Sequence, residues 1–124
     1  YGHPAGDQCL NAVADALQSA AGRASDIVAR YGGEEFVVVL PDTSLGGVLF
    51  VAEKLRHGVH CLGIPHSGSE RGNVTISIGI ASAVPSRGPG PGQLVEQADR
   101  ALYRAKQGGR DRVCRYDPEL DQAA

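Results

Sequence analysis

Three stretches of the chain repeat apolar residues at the three- and four-residue spacing that predicts amphipathic helices. The first covers residues 7–21, where Gly22 closes the pattern. The second carries its apolar face over 45–59, and Thr43 or Ser44 can cap its N-terminus. The third covers 92–107. The pattern therefore predicts three helices, each with one apolar face.

Runs of strand length separate these helices. Residues 26–31 and 35–40 flank Gly32–Gly33, and two glycines between such runs predict a tight hairpin. The run 36–40 is apolar without alternation, which indicates a central strand buried on both faces. Two further strands are predicted at 74–81, with one large and one small face, and at 112–116.

The element order is helix, hairpin, helix, strand, helix, strand. This order predicts an α/β domain of the α+β sandwich type, with a mainly antiparallel sheet built around the hairpin and flanked by helices. We expect the domain to cover residues 1–116 and the segment 117–124 to be a solvated C-terminal tail.

Composition restricts the class of protein further. The 124 residues are 42% hydrophobic and 21% charged, which is typical of one globular domain. A net charge of −2 gives no reason to expect a nucleic-acid polymer or a membrane as partner. The apolar runs are too short to span a bilayer, no signal peptide opens the chain, and the three cysteines lack metal-type spacing. We expect a cytoplasmic domain, or the cytoplasmic part of a larger, membrane-anchored protein.

The adjacent Glu34 and Glu35 beside the glycine pair are the first candidate chemistry. One interpretation makes them exposed edge charges of an ordinary hairpin. However, glutamate is disfavoured in strands, and adjacent strand residues point to opposite faces, so the two cannot share a proton. A hard cation is the natural partner of such carboxylates, and bare glycines let phosphates approach the backbone. The alternative interpretation is therefore a Mg²⁺-dependent nucleotide site.

Motifs along nearly the whole chain, in order, resemble those of GGDEF domains, the diguanylate cyclases. They are "YGHPAGDQCL" (1–10), "RYGGEEF" (30–36), "LPDT" (40–43), "AEKLR" (52–56), "VTISIGIA" (74–81) and "ADRALYRAKQGGRDRV" (98–113). The resemblance implies a nucleotidyl-cyclase, palm-like fold and the condensation of two GTP molecules into cyclic di-GMP with release of pyrophosphate. It also implies a homodimer, because each domain holds one GTP, and an upstream sensory domain.

By the family's pattern, the hairpin would carry the catalytic centre. Glu34 would ligate Mg²⁺ or Mn²⁺ and help to activate the 3′-hydroxyl, and Glu35 would assist at the metal. Gly32 and Gly33 would lie against the phosphates. This chemistry suits phosphoryl transfer, which depends on positioning and charge neutralisation more than on covalent help.

The resemblance also assigns substrate contacts outside the hairpin. Asp7 would read guanine, and Lys106 and Arg110 would hold the terminal phosphates. Each has a structural alternative in isolation: Asp7 as a helix cap, and the two cations as complements of a helix C-terminus.

A second site is suggested by Arg23 and Asp26, which form the RxxD arrangement that binds inhibitory cyclic di-GMP in the resembling family. Arginine can fork a phosphate or stack on guanine, and aspartate can accept hydrogen bonds from the guanine edge. Lys54 or Arg56 on the next helix are possible helpers, although a solvated helix face explains them equally well.

One part of the family pattern precedes the first residue of this sequence: a strand with a metal-ligating aspartate, followed by FKxxND. We therefore expect the first strand of the fold to be missing here, and the chain as written to have little or no cyclase activity. The alternative function is a non-catalytic receptor or regulatory GGDEF module that binds cyclic di-GMP through Arg23 and Asp26.

Overall fold

The computed structural model describes residues 3–32, 35–65, 72–84 and 90–121 of the chain. Its elements are α1 (His3–Ala20), β1 (Ile27–Gly32), β2 (Glu35–Val39), α2 (Leu45–His60), β3 (Ile78–Ile80), α3 (Pro91–Gln107) and β4 (Val113–Arg115). The chain divides into two compact units, Tyr1–Val74 and Thr75–Ala124. Helices and short sheets confirm the predicted α+β class. No helix in the described ranges is long and apolar enough to cross a membrane.

The core of the first unit lies where α1 packs against α2 and β1. Its buried apolar side chains come from both helices: Val13, Leu17, Ala52, Leu55 and Val59. Val59 has no exposed surface, and full burial of a valine side chain contributes about 1.5–3 kcal/mol. The predicted helical spacing is confirmed, although α1 begins at His3 rather than at residue 7.

Strands β1 and β2 form an antiparallel pair in which Ile27 lies opposite Val39 and Gly32 lies opposite Glu35. The predicted hairpin is confirmed, but Gly32 belongs to β1 rather than lying outside the strand as expected. The expectation that the second strand is buried on both faces is wrong, because Val39 is 46% exposed and no residue of β2 is fully buried. Helix α1 contacts β1, and no other described element of this unit packs on the hairpin.

Helix α2 begins at a serine cap. Ser44 has an extended backbone conformation, and its hydroxyl accepts a hydrogen bond from the Gly47 amide at 3.2 Å. Of the two predicted cap candidates, the structure selects Ser44 and leaves the Thr43 hydroxyl to other partners.

The second unit is built on close contact between a strand and a helix. Strands β3 and β4 are parallel, with Ile78 opposite Val113, and both pack on α3. A Cβ at Gly79 would collide with the Ala98 carbonyl and would lie 2.8 Å from Cα of Leu102. The small face predicted for this strand is therefore the face that meets the helix backbone, and glycine is required there.

The regular part of this strand is shorter than predicted. Residues 74–77 were expected to continue it, yet only 78–80 have strand geometry. The reason is pairing: β4 supplies partners for three residues, and the described residues offer no ladder partner to 74–77.

The C-terminal segment contacts α3 through an ion pair between Asp121 and Arg104. Arg104 donates to both carboxylate oxygens of Asp121, from Nε at 2.7 Å and from Nη2 at 3.0 Å. Asp121 also accepts from the Asp117 amide at 2.8 Å. Within the segment predicted to be solvated, residues 118–120 are exposed, whereas Asp121 is only 6% exposed.

Candidate functional site

The turn of the hairpin is defined by the pair that closes it. Gly32 lies opposite Glu35, with a register shift between Arg30 and Gly32, and two residues separate the pair. Those two, Gly33 and Glu34, lie outside the described residues. Glu35 is exposed, which leaves its carboxylate open to solvent. The hairpin therefore presents a carboxylate at the same end as the glycines.

Asp7 lies within α1, whose first residue is His3. Because the helix begins a full turn earlier, Asp7 does not cap it, and that structural alternative is wrong. Its side chain is outside what the structure describes. Leu10 and Asn11 follow it by about one helical turn.

Leu10 and Asn11 line a cavity of about 140 Å³ between α1 and the hairpin, together with Ala14, Gln18, Val28, Arg30 and Phe36. Its walls combine apolar side chains with two amides and a guanidinium. Sites for whole small molecules usually enclose about 300–1,000 Å³. This cavity is therefore too small to hold a nucleotide by itself.

Arg23 and Asp26 are brought together by the loop between α1 and β1. Arg23 donates to Oδ1 of Asp26 from Nε at 3.1 Å and from Nη2 at 2.9 Å, and its backbone amide donates to Oδ2 at 3.1 Å. The hydrogen bond from the Arg23 side chain is the main reason that the pKa of Asp26 lies below its usual value. The Asp26 side chain is 4% exposed, whereas that of Arg23 is 50% exposed.

The same guanidinium reaches the turn before α2. Its Nη2 donates to the Pro41 carbonyl at 2.6 Å and to the Thr43 hydroxyl at 2.5 Å. The sequence predicts Thr43 only as a possible helix cap, and the contact with Arg23 could not be predicted from local patterns because the two residues are 20 positions apart. The only sequence signal for this contact is that "LPDT" follows RxxD in the family order.

The two predicted helpers on α2 differ. Lys54 is exposed on the helix surface. Arg56 forms an ion pair with Glu53 at 3.0 Å, the i,i+3 spacing typical of solvated helix faces.

Lys106 and Arg110 lie in the second unit, around the C-terminus of α3. The Arg110 amide donates to the Ala105 carbonyl at 3.0 Å and the Gly109 amide to the Lys106 carbonyl at 3.4 Å, the two bonds of a Schellman motif. Gly109 adopts φ 114°, the left-handed conformation that this motif needs. The motif ends the helix and places Arg110 just beyond Lys106, with both side chains exposed.

The described side chains contain no cluster of three or more His, Cys, Asp or Glu residues suited to a metal ion. Glu35 supplies one exposed carboxylate, an oxygen donor of the kind that Mg²⁺ and Mn²⁺ prefer. The donor type therefore fits the expected metal.

Known proteins of similar sequence indicate the family to which this domain belongs. The family model described as "Diguanylate cyclase, GGDEF domain" matches residues 1–112. Diguanylate cyclase A of Treponema denticola is 46% identical over 123 residues, which are 99% of this chain and 32% of that protein. The chain spans only about a quarter of several other curated relatives.

Solved structures agree with the family match. The GGDEF domain of DgcB from Caulobacter crescentus, in complex with c-di-GMP, has a TM-score of 0.81 at 33% identity, covering 94% of this chain and 67% of that one. The active GGEEF domain of a diguanylate cyclase from Vibrio cholerae has a TM-score of 0.76 at 30% identity, with coverages of 94% and 72%.

The chain folds as an α+β domain with an antiparallel hairpin formed by β1 and β2. Its sequence motifs follow one another in the order found in one family of such domains. The chain belongs to the GGDEF domain family.

Proposed function

We propose that this chain is the catalytic domain of a diguanylate cyclase, which condenses two GTP molecules into cyclic di-GMP. The observation that carries the proposal is the hairpin: β1 and β2 pair so that Gly32 and Glu35 flank Gly33 and Glu34, in a chain of the GGDEF family. Curated relatives named as diguanylate cyclases support the same activity.

In this proposal Glu34 and Glu35 hold a Mg²⁺ or Mn²⁺ ion, which supplies charge neutralisation for phosphoryl transfer when bound. Glu34 additionally accepts the proton of the attacking 3′-hydroxyl. Gly32 and Gly33 leave the backbone amides open to the phosphates, because no side chain obstructs them.

The remaining substrate contacts are distributed along the chain. Asp7 hydrogen-bonds the guanine base. Lys106 and Arg110 neutralise the terminal phosphates, and their exposed position at the end of α3 suits a multiply charged ligand.

Two such half-reactions make the product. Each 3′-oxygen forms a bond to the α-phosphorus of the other GTP, the bond from that phosphorus to the leaving oxygen breaks, and pyrophosphate leaves. Each domain holds one GTP, so two copies of the chain must face each other, and the enzyme works as a homodimer.

Product inhibition completes the proposal. Arg23 and Asp26 bind cyclic di-GMP, and Lys54, which is exposed on α2, supplies a further cation. The solved complex of the DgcB GGDEF domain with c-di-GMP supports a product-binding role for this class of domain.

The test is cyclic di-GMP formation from GTP and Mg²⁺ by the protein that contains this chain, compared with its Glu34→Gln variant. We expect Glu34→Gln to lower turnover by about 100-fold or more, because it removes both a metal ligand and the proton acceptor. Glu35→Gln should cause a smaller loss.

Glu119→Gln is the matched control. Glu119 is exposed on the C-terminal segment, and this substitution removes one negative charge, as Glu34→Gln does. Its turnover should equal that of the unchanged protein. Full turnover by Glu34→Gln would refute the catalytic role. An unchanged protein that binds cyclic di-GMP but forms none would instead identify a receptor.

A further inference from the structure

Arg23 divides its five N–H donors into an inward edge and an outward edge. Nε and Nη2 point inward, to Asp26, the Pro41 carbonyl and the Thr43 hydroxyl. Among the residues that the structure describes, Nη1 makes no hydrogen bond. Because half of the side chain is exposed, the two N–H groups of Nη1 are available to an anion.

The Asp26 carboxylate has no such free edge. Its Oδ1 accepts from Nε and Nη2 of Arg23, its Oδ2 accepts from the Arg23 amide, and its side chain is 4% exposed. A base edge could reach these oxygens only after the arginine had moved. In this arrangement the aspartate holds the arginine in place.

Thr43 is oriented to hold the same guanidinium. Its hydroxyl donates to the Pro41 carbonyl at 2.9 Å, so an oxygen lone pair is left for Nη2 of Arg23. Its methyl group lies close to Gly47, where an added Cβ would come within 2.9 Å of Cγ2 of Thr43. The threonine therefore bridges the loop before β1 and the turn before α2.

We propose that Thr43 is a positioning residue that, together with the Arg23–Asp26 hydrogen bonds, aims the Nη1 edge of Arg23 at a phosphodiester anion, and that Arg23 makes the contact with that anion. This rests on the product site proposed above and specifies how that site is assembled. A guanidinium fixed before binding loses less conformational freedom when the anion arrives.

The experiment measures cyclic di-GMP affinity by calorimetry, and thermal stability, for the unchanged protein and for Thr43→Val, Thr43→Ser and Arg23→Ala. Thr43→Val keeps the methyl that lies against Gly47 and replaces the hydroxyl with a second methyl group. We expect it to weaken binding about threefold to tenfold. This is less than the loss of roughly tenfold or more expected when the ligand itself loses a hydrogen bond to a charged group, because Thr43 acts only through Arg23. Thr43→Ser keeps the hydroxyl and should restore binding, and Arg23→Ala should weaken it most.

Each outcome separates this proposal from the product site itself. Unchanged affinity in Thr43→Val, with loss in Arg23→Ala, overturns the positioning role and leaves the product site standing. Tighter binding by Thr43→Val also overturns it, because the hydroxyl would then compete with the ligand. Equal losses in the valine and serine variants would mean a packing role only. If Arg23→Ala binds as well as the unchanged protein, the product site is not at Arg23.

Discussion

Each compact unit contains an arginine–aspartate pair in which the guanidinium also donates to a backbone carbonyl. In the first unit Arg23 bonds Asp26 and the Pro41 carbonyl. In the second, Arg104 bonds Asp121 and the Arg115 carbonyl. In both, the hydrogen bond from arginine is the main reason that the aspartate pKa lies below its usual value. The chemistry is the same, but the geometry differs.

Arg104 meets its partner as a two-pronged fork, one nitrogen to each oxygen, across 17 residues of chain. Only 33% of its side chain is exposed. Arg23 donates from two nitrogens to a single oxygen of Asp26, which is three positions away in the sequence, and half of the Arg23 side chain is exposed to solvent. A long-range, doubly satisfied pair fixes the fold, whereas a local pair with a spare edge can receive a ligand.

The largest effect on stability is expected when the ion pair between Arg104 and Asp121 is broken. Asp121→Ala should lower the free energy of unfolding by about 2–3 kcal/mol, less than for a fully buried pair because Arg104 is partly exposed. Chemical denaturation monitored by circular dichroism measures this value. Asp99→Ala is the control, because Asp99 is exposed on α3 and should change stability by less than about 0.5 kcal/mol. An equal effect of both changes would rule out a stabilising role for the Arg104–Asp121 ion pair.

A smaller effect is expected from pH. The folded pKa of Asp121 is below the ordinary value of 3.8, so its contribution is complete above that value and is lost as pH falls through the folded pKa. The difference in unfolding free energy between the unchanged protein and Asp121→Asn should therefore narrow as pH is lowered from 7 toward about 3. Denaturation curves at several pH values measure it, and a constant difference would contradict the pairing.

The smallest effect is expected from a surface pair on α3. Arg100 and Glu96 are 2.6 Å apart, but their side chains are 36% and 60% exposed. Arg100→Ala should lower the unfolding free energy by about 0.5 kcal/mol or less, since solvent screens such pairs. A loss close to that of Asp121→Ala would mean that exposure does not separate the two classes of pair.

The sequence predicted what local patterns determine. Apolar spacing located all three helices, and Gly32–Gly33 located the hairpin, because helix periodicity and turn chemistry act over a few residues. The family resemblance located the candidate site residues by motif. None of these patterns depends on knowing which distant segments meet.

Long-range pairing could not be predicted in the same way. Thr43 is 20 residues from Arg23, and Asp121 is 17 residues from Arg104, so no periodicity connects them. A strand was predicted at 74–81, but only 78–80 form one, because a strand needs a hydrogen-bonded partner and β4 pairs with only three residues. Val39 was expected to be buried, and its exposure depends on which elements cover the hairpin.

The comparison of the two arginines is tested most directly by one paired measurement: cyclic di-GMP affinity and melting temperature for Arg23→Ala and Arg104→Gln. We expect Arg23→Ala to lose affinity at least tenfold, because a hydrogen bond from a charged group is removed. It should also melt somewhat earlier than the unchanged protein, because Asp26 loses its partner, but not as early as Arg104→Gln. Arg104→Gln should melt earlier and keep its affinity. An Arg104→Gln variant that loses affinity as fully as Arg23→Ala, or an Arg23→Ala variant that melts as early as Arg104→Gln, would contradict the division between a binding pair and a folding pair.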